Sequence, residues 1–205
     1  MRVHEIEIEG LQPLLMHNGN GMRIESDGKV RRIPSPEEEA KAGEYRLPNG
    51  DLGVPTIALR KCLLLASRPW KVEKTRLITL LYAHMQILPF DGMVPLLREG
   101  QPIRRYEIDT RRAVPRAQGA VSRSRPLIRL PWSLVFQVTW NDDILPRTFP
   151  ETLAAIVQTA GQGIGLLDYR PEKGGWFGQF QVVRMEEVTV GMLARADRGE
   201  LAGVA

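Results

Sequence analysis

The sequence predicts an α+β domain with a ferredoxin-like, RRM-like βαββαβ core, a large loop insertion after the first strand and a basic hairpin insertion further on. Three observations carry that prediction. Arg2–Glu9 alternates, with His4, Ile6 and Ile8 on one parity and Val3, Glu5, Glu7 and Glu9 on the other, which is the period of a half-buried strand. Ser133–Thr139 alternates with apolar groups on both faces, which predicts a central strand. Between Thr148 and Gly161, Leu153, Ile156, Val157 and Ala160 recur at i, i+3, i+4, i+7, which predicts an amphipathic helix.

Taken in order, Gly10 and Pro13 close the first strand. Residues 17–54 carry glycines, prolines and many charges without sustained apolar periodicity, and are expected to form an inserted loop or flap. A helix begins near Pro55, a residue suited to the first helical turn, with Ile57, Leu59, Leu63 and Ala66 as its apolar stripe and Pro69 as its end. A second helix is expected over Arg76–Leu88. Residues 103–129 form the basic insertion, with extended edges at Tyr106–Val114 and Pro126–Leu130. Thr148-Phe149-Pro150-Glu151 supplies a capping box for the last helix, Gly161 its stop, and Phe177–Glu186 the final strand. The strand–helix–strand–strand–helix–strand order is that of split β-α-β folds. One domain over residues 1–190 is expected, followed by a tail at 191–205.

The charge is local. Residues 103–129 hold eight arginines, no lysine and only two acids, a net +6 in a chain whose total is +4. Arginine without lysine suits planar, bidentate contacts, and phosphate oxygens match that geometry. Arg104, Arg105, Arg111, Arg112, Arg116, Arg123 and Arg125 are therefore candidates for gripping a sugar–phosphate backbone, against the alternative of a solvated loop. A second basic site is suggested where Arg170 and Lys173 flank Gly174 and Gly175 in a glycine-rich stretch running from Gly161 to Gly178. These glycines follow a helix and precede a strand, so they are not a dinucleotide fingerprint, and Gly174 stands where a Walker loop needs Ser or Thr. They permit close backbone approach, to a ligand or to a neighbouring element. Of Trp176 and Phe177, one is expected to anchor this loop in the core. Trp70, beside Arg68 and Lys71, either stacks on a base or caps its helix.

Catalytic and metal signals are sparse. His4, His17 and His84 lack metal-ligand spacing, no cofactor motif is present, and no metal site is expected. His17, in a polar loop, is either a general base towards a ribose hydroxyl or a solvated residue. Asp27 and Asp51 are either Mg²⁺ ligands or turn formers. The single Cys62, in an apolar run, excludes an internal disulfide. No membrane span or signal-peptide core is visible, so a cytoplasmic protein is expected.

Three stretches resemble the RAMP superfamily, in particular the subunits that coat guide RNA in CRISPR effector complexes of antiviral defence. They are the first strand running into Gly10-Leu-Gln-Pro-Leu-Leu-Met-His17, the helix start Val54-Pro-Thr-Ile-Ala-Leu-Arg-Lys61, and Gly174-Gly-Trp-Phe-Gly178 ahead of the last strand. The family helix begins Gly-Ser-Ser where Thr56-Ile57-Ala58 stands here. The resemblance implies that Arg60, Lys61 and the glycine loop hold an RNA backbone and that Arg111 to Arg125 form a protruding thumb hairpin. It also implies Asp27 as the match for an aspartate with which some members cut RNA, so that any enzymatic activity would be that of an endoribonuclease. The expected partners are single-stranded RNA or DNA, further copies of the chain and other effector subunits, with no membrane. A phage-encoded single-strand DNA-binding protein, or a self-assembling structural protein, fits the same architecture.

Overall fold

In the computed structural model of the chain, residues 1–19, 34–90, 92–113 and 121–188 are described. Asp27, Arg116 and the expected tail at 191–205 lie outside them. The chain opens with β1 (Arg2–Gly10), a two-residue β2 (Leu14–Leu15) and α1 (Pro36–Ala42). Next come β3 (Gly53–Pro55), which leads directly into α2 (Thr56–Ala66), and α3 (Leu77–His84), which runs straight into β4 (Met85–Leu88). After β5 (Met93–Pro95), which pairs with β3, the arginine stretch forms β6 (Glu107–Ala113) and β7 (Val121–Ile128). Strand β8 (Ser133–Trp140), α4 (Phe149–Thr159) and β9 (Phe180–Val188) complete the order.

The protein is thus a mixed α+β fold built on antiparallel sheets. The main sheet runs β9-β1-β8, with β4 on the far side of β8 along Gln137–Trp140 and a short hairpin joined at Ser133. Strand β8 is central, as its two apolar faces require. Ile6 lies opposite Phe136 on one side and Met185 on the other, so the inward parity of β1 continues across three strands. Helices α2 and α4 cover that inward face: Leu59, Leu63, Leu153, Ile156 and Val157 share one core with Ile6, Ile8, Phe136 and Val138. Each such side chain contributes about 2 kcal/mol when fully withdrawn from water. His4 is buried on this face, its Nδ1 accepting from Trp140 Nε1 at 3.2 Å.

Several expectations are corrected. The helix expected over Arg76–Leu88 stops at His84, because Met85 turns extended (φ −128°, ψ 133°) and β4 pairs with the second half of β8. Met85 and Ile87 are buried while Gln86 is exposed, a period of two too short to stand out. Consequently β4 joins β8 in the main sheet between the two covering helices in the chain, and β6–β7 belong to a separate sheet with β2. Thr148 makes no side-chain cap bond to α4. Gly161 does not stop that helix, since the chain continues through a π-turn at Ala160–Ile164 and ends at Gly165, whose φ is +73°. Ile57 is 63% exposed rather than part of the α2 stripe. Inside the expected flap, α1 starts with a true capping box: Ser35 Oγ accepts from Glu38 N–H while the Glu38 carboxylate accepts from Ser35 N–H.

Candidate nucleic-acid interface

The hairpin β6–β7 has two faces of different character. Its register sets Asp109 opposite Arg125 and Arg111 opposite Arg123, so these four side chains share one face with Leu127. That face turns towards the glycine-rich stretch. Leu127 packs with Leu15 and Phe177, and the Arg125 guanidinium, only 5% exposed as a residue, donates to Asp168. Arg111 pairs with Asp109 and lays its guanidinium 4.7 Å above the Phe177 ring. Two cations opposite one another on a sheet repel. Here Asp109 offsets one of them, and the other, Arg123, donates to His17 Nε2 at 3.2 Å. The opposite face carries exposed Arg112 and is braced by α1, where Glu39 accepts from Ser124 N–H at 2.8 Å.

The glycine-rich stretch is a packed turn. A Cβ on Gly161 would meet Phe180 O at 2.0 Å, one on Gly175 would meet Tyr169 O at 1.8 Å, and one on Gly178 would meet Leu166 O at 2.2 Å. Those glycines serve approach to the protein's own backbone, whereas Gly163 and Gly174 face open space, the latter with φ +79°. Arg170 donates to Leu167 O at 2.6 Å and pairs with Glu172, which also takes Lys173. Phe177 is buried and Trp176 stands 55% exposed beside it.

A cleft of about 380 Å³ lies between this turn and α2, lined among others by His17, Tyr45, Lys61, Asp168 and Arg170. It adjoins a wider hollow of about 720 Å³, reaching Lys41 and Arg46, and the two share Tyr45, Ile57 and Ala58. Ile57, out of place on a core-facing stripe, is thus part of the wall of a groove. Lys61 is exposed in that wall with no ion pair among the described residues. Arg60, its neighbour, points elsewhere: its guanidinium donates to Tyr82 O at 2.7 Å and caps the end of α3. Arg104 donates to buried Asp51, which also accepts from Asn49, so the carboxylate proposed for Mg²⁺ is occupied by protein donors. Arg105 is exposed. Trp70 packs against the core.

His17 holds the most constrained chemistry here. Arginine can only donate, so Nε2 carries the lone pair and the ring proton sits on Nδ1, which is buried without a partner among the described residues. Burial pushes the His17 pKa down, Arg123 and Arg125 add to that, and Asp168 and Glu39 oppose it. The ring is therefore neutral at pH 7, and to accept a ribose proton it would first have to release Arg123. The Cys62 thiol, buried and directed at Gly165 O, is pushed up to about 12 and is inert. Among the described residues no group of three or more His, Cys, Asp or Glu could hold a metal, and no helix is long and apolar enough to cross a membrane.

The arrangement brings together Arg111, Arg123, Arg125, Lys61, Arg170, Lys173 and His17, and leaves Arg60 outside. Two participants were not anticipated. Asp168 links hairpin, cleft and turn, and Tyr45 sits in both hollows; neither carries a local motif, because each is placed by tertiary packing alone. No protein-family model matches the chain, and no curated protein matches it significantly.

Proposed function

We propose that the chain binds single-stranded nucleic acid, RNA in the first instance, along its sugar–phosphate backbone without reading sequence, as a repeated subunit of a CRISPR-type ribonucleoprotein. One observation carries the proposal: the arginine hairpin, the glycine-rich turn and the α2 groove converge. Phe177 of the turn lies beneath Arg111, Asp168 of the turn pairs with Arg125, and Asp168 and Lys61 line the same cleft. The sheet order β9-β1-β8-β4, antiparallel throughout and covered by α2 and α4, supports a ferredoxin-like core, the architecture that the resemblance to RAMP proteins implies.

The cations that would meet phosphate on this reading are Lys61, Arg105 and Arg123, with Arg112 from the other face of the hairpin, since Arg125, Arg104 and Arg170 are engaged by carboxylates. Contacts to four phosphates give a slope of about −3 in log affinity against log salt for a single strand. Replacing Lys61, Arg112 and Arg123 together by Ala is expected to weaken binding of unrelated RNA sequences equally and to flatten that slope by about 2. Fluorescence-anisotropy titrations over a salt series measure both. Affinity that ignores salt and survives the triple substitution would overturn the proposal.

A further inference from the structure

We propose that Trp176 is a stacking platform for one unpaired base of a bound single strand, an inference that rests on the nucleic-acid reading above. Most of the large aromatic side chains that protrude here do so alone: Tyr82 and Phe90, 59% and 76% exposed, have no ring partner among the described residues. Trp176 protrudes with its back supported. Its ring stacks on Phe177 at 6.0 Å and 25°, and Tyr169 lies 5.7 Å from it. Phe177 is in turn fixed by Leu15 and Leu127 on one side and by the Arg111 guanidinium on its face.

The backbone is held on both sides of the residue. Gly175 N–H donates to Arg170 O, Phe177 N–H to Tyr169 O and Gly178 N–H to Pro13 O, at 3.1, 3.1 and 2.8 Å. Gly175 also sits against Tyr169 O too closely for any side chain. A preordered ring loses little freedom when a second ring lies on it, and every base offers a π-face, so such a contact adds affinity without sequence preference. The surrounding charge selects the ligand class. Arg111, Arg123, Arg125, Arg170 and Lys173 outnumber Asp109, Asp168 and Glu172, which favours a polyanion carrying flat apolar groups.

The test uses oligouridylate and an abasic ribose-phosphate chain of the same length, equal in charge and differing only in bases. Trp132 and Trp140 are buried and Trp70 packs on the core, so tryptophan quenching on binding reports chiefly on Trp176. The full chain is expected to quench with oligouridylate and not with the abasic chain. Trp176→Leu is expected to lose the quench and about tenfold in affinity for oligouridylate, with affinity for the abasic chain unchanged, and Trp176→Phe to retain most of the affinity. An unchanged thermal midpoint establishes that the variants fold. Equal affinity of the full chain for both ligands, or oligouridylate binding untouched by Trp176→Leu, would overturn the inference while leaving backbone binding in place. Binding of neither ligand would overturn the nucleic-acid reading itself.

Discussion

The two ends of the arginine hairpin use one residue type for two purposes. At its root Arg125 is withdrawn from water and its guanidinium is committed to Asp168, while Arg129 pairs with Glu107 at the surface. Towards its outer end Arg112 is exposed on one face and Arg123 rests on a neutral histidine, which orients a cation without cancelling its charge. The difference teaches that a run of like residues is not a site by itself. The acids and acceptors brought in by the fold decide which arginines are structural and which keep charge to offer. Asp168 lies 43 residues after Arg125 and His17 lies 106 residues before Arg123, so the partition is made by packing.

The sharpest way to break this comparison is at the root. Arg125→Ala leaves Asp168 partly buried without its cation, and removal of one partner of a buried pair costs about 3 kcal/mol. The expected outcome is a large drop in the urea midpoint. Replacing both partners, Arg125→Met with Asp168→Leu, is expected to recover most of it, because an apolar pair avoids the stranded charge. Arg112→Ala at the outer end is expected to change stability by less than about 0.5 kcal/mol. Equal midpoints for Arg125→Ala and Arg112→Ala would erase the distinction between root and end.

The glycine-rich turn repeats the contrast on a smaller scale. Gly175→Ala drives a methyl into Tyr169 O and is expected to cost about 2 kcal/mol through forced displacement of the turn. Gly174→Ala meets nothing but must hold φ +79°, which costs about 1 kcal/mol. Gly163→Ala, in open space at a negative φ, is expected to be neutral within about 0.5 kcal/mol. Urea midpoints in the order Gly163→Ala, Gly174→Ala, Gly175→Ala, from highest to lowest, are the expected result. A destabilised Gly163→Ala with a tolerated Gly175→Ala would mean that the turn approaches a ligand rather than its own chain.

What could be read from residues alone follows from how local each signal is. Strand β1 was legible because His4, Ile6 and Ile8 alternate with acids over a full element, and α4 because Leu153, Ile156 and Val157 repeat at helical spacing. The hairpin was legible from its two extended edges around a charged middle, although not its pairing with β2 in a second sheet. Helix α1 was missed even though Ser35-Pro36-Glu37-Glu38 spells a capping box with proline in the first turn, because its seven residues hold a single buried side chain, Ala40, and make no apolar stripe. Strand β4 was missed because four residues cannot establish a period. The fates of Arg60 and Arg125 were not legible at all: adjacent Arg60 and Lys61 differ only in which surface each meets after folding, one at the end of α3 and the other in the groove.

The smallest expected effect lies between the two ends of the hairpin, at His17, and its sign is fixed by the geometry. Burial holds the folded His17 pKa below its ordinary value of 6.5, and the same cause lowers that of His4 against Trp140. Above that value folded and unfolded chains are both neutral at these rings, so their contribution to stability is complete there. As the pH falls from about 6.5 towards the folded values, the unfolded chain takes up protons that the folded chain refuses, stability declines, and below the folded values the decline levels off. The urea midpoint is therefore expected to fall between about pH 7.5 and pH 5.5, ahead of carboxylate titration. His17→Gln keeps an acceptor for Arg123 but does not titrate, so it is expected to remove part of the fall, and His4→Gln the remainder. A flat midpoint would mean that folding does not lower these pKa values, and one that rises in acid would mean that folded His17 holds its proton more tightly than the unfolded chain does. Arg123 could then not rest against it, and the outer end of the hairpin would owe its orientation to something other than a neutral imidazole.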